Sequence, residues 1–163
     1  MTNKIVHTFL AAMIFLLFAT VAIGGSVMNM PEFSLPSALD GKKVNSKDFK
    51  GKVLLVTFFT TWCPPCRKEI PALIKLQSDL GPKGFSVIGL SMDEKGPEVV
   101  VKLINKEKIN YPVLMGKSKT ARDFGGVIGI PTSFLVDRQG VIVKRYPGYV
   151  TRSTLEKDIK SIL

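Results

Sequence analysis

Val53-Leu54-Leu55-Val56-Thr57-Phe58-Phe59-Thr60-Thr61-Trp62-Cys63-Pro64-Pro65-Cys66-Arg67-Lys68-Glu69 is the stretch whose reading decides the fold. Val53 to Phe59 is aliphatic, β-branched and aromatic, with the length and chemistry of a buried strand. It stops at a polar Thr-Thr-Trp turn, and a helical pattern begins with Cys63 at the boundary. Cys63 and Cys66 are the only cysteines of the chain. Their spacing places one thiol at a helix N-terminus and the other a turn further in, close enough to close a small disulfide ring. Unpaired N–H groups and the positive end of the helix dipole stabilise a thiolate there, so Cys63 is expected to have a lowered pKa. That is the chemistry of thiol–disulfide exchange, in which an exposed thiolate, here Cys63, attacks a foreign disulfide and its shielded neighbour, Cys66, resolves the mixed disulfide.

Other uses of a C-x-x-C pair fit poorly. A tetrahedral zinc site needs four ligands, and the single histidine, His7, lies far upstream. Covalent haem attachment needs His directly after the second Cys, where Arg67 stands. A purely structural disulfide does not explain a three-residue spacing at a strand–helix junction.

The run Trp62-Cys63-Pro64-Pro65-Cys66, followed by Lys68-Glu69-Ile70-Pro71, resembles the thioredoxin superfamily. More narrowly, it is similar to the TlpA-like, membrane-anchored thiol–disulfide oxidoreductases of the bacterial periplasm or outer cell-wall space. The resemblance runs from about Pro31 to the C-terminus. It implies an α/β fold, the thioredoxin fold, with a central mixed sheet flanked by helices and an N-terminal hairpin extension.

Upstream, Phe9 to Ile23 is apolar except for Thr20, and no charged residue stands between Thr8 and Met30. A helix crossing the bilayer needs about 20 apolar residues, so residues 1–30 read as a signal-anchor or a signal peptide, the uncleaved anchor being favoured. Lys4 and the amino terminus lie on the near side, which places the remainder outside the cytoplasm. Residues 31–163 then form one domain, enough for a single core and too few for two.

Within that domain, Pro31–Pro36 reads as an extended lead-in, and Asp40-Gly41 as the turn of a hairpin spanning Ala38–Val44. A helix follows the cysteine pair, with Pro71 inside it predicting a kink and Gly81-Pro82 ending it. Phe85–Ser91 reads as a second buried strand, Glu98–Lys108 as a helix, and Tyr111–Leu114 as an extended piece. Ser133–Val136 and Val141–Lys144 form a hairpin, and Thr151–Leu163 a closing helix capped by Thr151 or Ser153. Strands alternating with helices imply parallel pairing at the centre of the sheet.

Pro131, in Gly129-Ile130-Pro131-Thr132, stands at the mouth of a strand, where it cannot donate to a ladder. The resemblance implies that this proline is cis, lies against the cysteine pair, and lets the Ile130 backbone dock a bound peptide. Trp62, Pro64 and Pro65 would shape the active-site loop. The chain departs from thioredoxin six residues before the first Cys, where a buried Asp is replaced by Thr57. Asp93 and Glu94, at the end of the Phe85–Ser91 strand, are the candidate proton relays in its place.

The net charge of +10 comes from dispersed lysines, without an arginine-rich or aromatic-interleaved patch, which speaks against nucleic acid. An anionic membrane surface or an acidic partner suits it better. The resemblance implies an extracytoplasmic oxidoreductase without cofactor or metal, supplied by a membrane electron donor. Its clients are disulfide-bearing proteins such as apocytochrome c during cytochrome c maturation. The alternatives are a peroxiredoxin-like thiol peroxidase, for which Thr60 matches but Val56 replaces the expected proline, and a non-catalytic thiol-based metal chaperone.

Overall fold

The structure, a computed structural model, describes residues Met28–Leu163. The expected anchor or signal segment lies outside them, except for its last residues. Among the described residues, no helix is long and apolar enough to cross a membrane.

Strand β3 (Val53–Phe59) is the axis of a five-stranded sheet. It pairs in parallel with β4 (Phe85–Ser91), and β4 in parallel with β5 (Val113–Met115). On its other side β3 pairs antiparallel with β6 (Thr132–Val136), which pairs antiparallel with β7 (Ile142–Pro147). The spatial order is therefore β5-β4-β3-β6-β7. Every residue of β3 and β4 is buried, because both faces of the sheet are covered. Successive side chains of a strand point to opposite faces. Val53, Leu55 and Phe59 accordingly join the core under three helices, and Leu54, Val56 and Phe58 join the core on the opposite face.

The helical face carries α1 (Pro64–Leu80), α2 (Pro97–Glu107) and α4 (Arg152–Lys160), contributing Ile70, Leu73, Leu76, Val100, Leu103, Leu155 and Ile159 to the core. Pro64 and Pro65 occupy the first turn of α1, where a missing N–H costs nothing and a fixed φ suits the helix. The helix continues through Pro71 as one element. At Gly89 the backbone of β4 must pass close under aromatic neighbours. A Cβ there would meet the Phe59 ring at 3.2 Å and Tyr111 at 3.5 Å.

The other face is closed by the hairpin of β1 (Ser34–Pro36) and β2 (Lys43–Asn45), by the 3₁₀ turn Ser46–Phe49 and by α3 (Ser118–Asp123). The hairpin is present around Asp40-Gly41, but its first strand is the Ser34–Pro36 lead-in rather than the Ala38 segment. At the centre of this face Phe58 meets Phe124 edge-on at 5.3 Å and Phe134 at 6.0 Å. Phe58 is fully buried. Phe58→Ala is therefore expected to cost about 3–5 kcal/mol, measured by urea denaturation. A loss below about 1 kcal/mol would mean that this aromatic cluster is not a packed core.

Candidate active site

The site forms where β3 ends and α1 begins. Cys63 is the N-cap of α1, with extended backbone, and its Sγ accepts the Cys66 N–H at 3.3 Å. The two cysteines are joined as a disulfide, with Cα atoms 5.3 Å apart. An N–H at this place and the positive end of a helix of 17 residues favour the thiolate of Cys63 once the disulfide is reduced. Cys66 lies one turn inside and its N–H is the donor, so its own sulfur has no such helix-terminal N–H.

Burial does not distinguish the two thiols as the sequence led us to expect. Each cysteine is 3 % exposed. The Ile130–Pro131 peptide bond is cis, and the turn it makes lies against Cys63: the Ile130 carbonyl oxygen is 3.9 Å from Cys63 Sγ. This cover comes from a segment 67 residues away, which local helix geometry cannot anticipate. Pro131 is buried, and its carbonyl accepts the Gly148 N–H at 2.8 Å, tying the turn to the end of β7. Trp62 is 69 % exposed beside this buried pair, and Pro64 and Pro65 are exposed on the first turn of α1.

The buried carboxylate missing at Thr57 is not replaced there. Thr57 is buried and its hydroxyl accepts from Ser133 Oγ at 2.9 Å, a neutral pair. Of the two acids proposed from sequence, Glu94 is exposed on the loop after β4. Asp93 is buried, but its carboxylate is turned to the loop before the cysteines. Oδ2 accepts the Thr61 N–H and the Ser91 hydroxyl, and Oδ1 accepts the Thr61 hydroxyl. Neither acid is hydrogen-bonded to a cysteine among the described residues.

The acid that sequence reasoning missed is Glu69. It is 3 % exposed, and burial pushes its carboxyl up to about 7, only partly opposed by the Val150 N–H that Oε1 accepts at 2.6 Å. Residues three apart share a helix face, so Glu69 follows Cys66 along the buried side of α1. The nearby Tyr111 hydroxyl is held well above the usual phenol range by burial and by the Glu69 charge. The signal was present in the sequence: an acid among Cys66, Ile70 and Leu73, all on the apolar face of α1. A carboxyl that titrates near neutrality is suited to proton transfer with a thiol. On the rim, the Lys68 ammonium lies 4.7 Å from the centre of the exposed Tyr149 ring.

Residues 26–163 match the Redoxin family model. The thiol-disulfide oxidoreductase ResA of Bacillus thuringiensis subsp. konkukian is 38 % identical over 125 residues, covering 76 % of this chain and 71 % of that protein. The thioredoxin-like protein YneN of Bacillus subtilis is 33 % identical over 130 residues, covering 79 % and 75 %. Among solved structures, a thiol:disulfide interchange protein of the thioredoxin family from Chlorobium tepidum superposes with a TM-score of 0.77 at 34 % identity. It covers 85 % of this chain, which in turn covers 97 % of it.

Proposed function

Because the chain belongs to the Redoxin family and is a TlpA-like thiol–disulfide oxidoreductase of the thioredoxin superfamily, we propose that it is an extracytoplasmic reductant of client disulfides, with Cys63 as nucleophile and Cys66 as resolving thiol. The observation that carries the reading is the placement of Cys63 at the α1 N-cap, its sulfur facing the Cys66 N–H and the cis-proline turn.

In this account the Cys63 thiolate attacks one sulfur of the client disulfide. A Cys63–client bond forms, and the other client sulfur leaves as a thiolate that takes up a proton. Cys66 then gives its proton to Glu69 and attacks Cys63 Sγ, releasing the second client sulfur as a thiolate that takes up the proton held by Glu69. The client gains two electrons and two protons, and the protein is left with the Cys63–Cys66 disulfide. Ile130 offers backbone to the client beside Pro131, and Trp62, Pro64 and Pro65 shape the loop. Asp93 acts on the loop rather than on a sulfur.

Residues 1–30 act as signal-anchor or signal peptide and residues 31–163 as the working domain, held at the outer face of a membrane and recharged by a membrane electron donor. The similarity to the ResA proteins supports a role in thiol–disulfide exchange; reduction is the direction proposed, and apocytochrome c before haem attachment the client class. The pre-reduced full-length protein should reduce a peptide carrying a C-x-x-C-H disulfide well above the rate of free dithiol at equal concentration. A rate no better than free dithiol would refute this client class.

Topology is tested separately. The full-length protein should fractionate with membranes, and its reduced cysteines should react with a membrane-impermeant thiol reagent in intact cells. Labelling only after lysis would contradict export.

A further inference from the structure

Beyond the end of β3 the ladder has no further rung, yet the next residues must hold the nucleophile in place. The last pairing joins Phe59 to Ser91, and the Met92 N–H still reaches the Phe59 carbonyl at 2.8 Å. The chain then leaves the sheet as Thr60-Thr61-Trp62-Cys63. One end of this turn closes on itself, with the Cys63 N–H donating to the Thr60 carbonyl at 3.3 Å. The other end is held from β4 by a side chain. Asp93 takes the Thr61 N–H at 2.9 Å and the Thr61 hydroxyl at 2.6 Å, 32 residues along the chain. The carboxylate is itself oriented by Ser91, whose hydroxyl donates to Oδ2 at 2.8 Å while accepting the Asp93 N–H at 3.2 Å. Asp93 is 8 % exposed and Ser91 fully buried.

We infer that Asp93 is a positioning residue that clamps the Thr60–Cys63 turn to the end of β4, standing in for the missing rung and thereby fixing Cys63 at the α1 N-cap. The inference deepens the functional reading above and rests on it for the meaning of the attack rate. The clamp assigns Asp93 a different part from proton relay. Its acceptors are occupied by Thr61 and Ser91, and no sulfur is among its partners. A buried hydrogen-bonded group of this kind holds geometry because leaving the Thr61 N–H unmatched is costly. The geometry at stake is the alignment of the Cys66 N–H with Cys63 Sγ, and the orientation of Trp62 between Thr61 and Cys63.

Asn is the discriminating substitution. Its amide oxygen can take the place of Oδ2, accepting from Thr61 N–H and Ser91. Its NH₂ can then donate to the Thr61 hydroxyl, which is free to turn and accept. Three readouts on the full-length reduced protein test the clamp: the Cys63 attack rate on a model disulfide, the thiolate titration followed by ultraviolet absorbance, and the fluorescence of Trp62, the only tryptophan. Asp93→Ala should slow attack about tenfold or more, raise the Cys63 thiolate titration and change the Trp62 emission, the loss expected when a buried hydrogen-bonded partner is removed. Asp93→Asn should restore all three. Thr61→Val, which removes only the hydroxyl, should fall between, and it carries the test if Asp93→Ala does not fold. Wild-type behaviour in Asp93→Ala, or in Thr61→Val where that variant carries the test, would overturn the clamp. So would an Asp93→Asn as impaired as Asp93→Ala, because charge rather than geometry would then be the cause. A wild-type protein that fails to attack disulfides would instead sink the functional reading, while Trp62 emission would still report on the clamp.

Discussion

Cys66→Ser is expected to trap a mixed disulfide between Cys63 and a client that survives non-reducing electrophoresis, while Cys63→Ser traps nothing. Both single substitutions should bring turnover down to the background of uncatalysed exchange. The asymmetry does not come from exposure, since the two cysteines are equally buried in the disulfide form. It comes from hydrogen bonding and from the direction of the helix. Cys63 sits at the positive end of α1 with the Cys66 N–H aimed at its sulfur, so its thiolate is the stabilised one and its sulfur faces the docking turn. Cys66 is a turn further into the helix and can reach Cys63 Sγ but not a client held at Ile130. Lowering a thiol pKa also lowers its nucleophilicity, so position decides more than acidity. Equal trapping by the two variants, or trapping by Cys63→Ser alone, would reverse the assignment.

Glu69→Gln is expected to slow resolution of that mixed disulfide about 10²-fold at neutral pH and to remove an inflection near pH 7 from its rate profile, the usual weight of a positioned proton acceptor. Client attack by Cys63 should be much less affected. Stability should move the opposite way. The Glu69 carboxyl has an ordinary value of 4.5 and about 7 in the folded chain, so between these values the native state holds a proton that the unfolded state has released. Stability then falls as pH rises through this window, its contribution intact below 4.5 and lost above 7. Gln keeps the acceptor for the Val150 N–H and carries no charge. At pH 8 Glu69→Gln should be more stable than wild type by up to about 3 kcal/mol, with little difference at pH 4. An unchanged pH–rate profile in Glu69→Gln would mean that another group takes the Cys66 proton.

The strand–turn–helix of the site was legible because its signals are local. Val53–Phe59 is hydrophobic on both faces, and Pro64-Pro65 favours the first turn of a helix. The alternating strand and helix pattern gave the order of elements, and the family resemblance supplied the cis-proline turn. What was not legible depended on distant partners. Glu69 stands on the apolar face of α1, a local signal, but the Val150 N–H that makes its burial tolerable comes from 81 residues away. Asp93 reads as a proton carrier until Thr61 is found to occupy it. Cys63 reads as exposed until the Ile130 carbonyl is placed beside it. Helix α3 was missed for another reason. At six residues, Ser118–Asp123 is too short to display a 3.6-residue period, and Gly125-Gly126 follows almost at once.

The measurement that bears most directly on the central claim is the reduction potential of the Cys63–Cys66 couple, obtained by equilibrating the protein with defined glutathione or dithiol buffers. A reductant of client disulfides must have a low potential, and the account predicts a value near that of thioredoxin, about −270 mV, or more negative. A value approaching about −120 mV, that of the strongly oxidising exported enzyme, would contradict it, because such a couple would donate its disulfide to clients rather than reduce theirs.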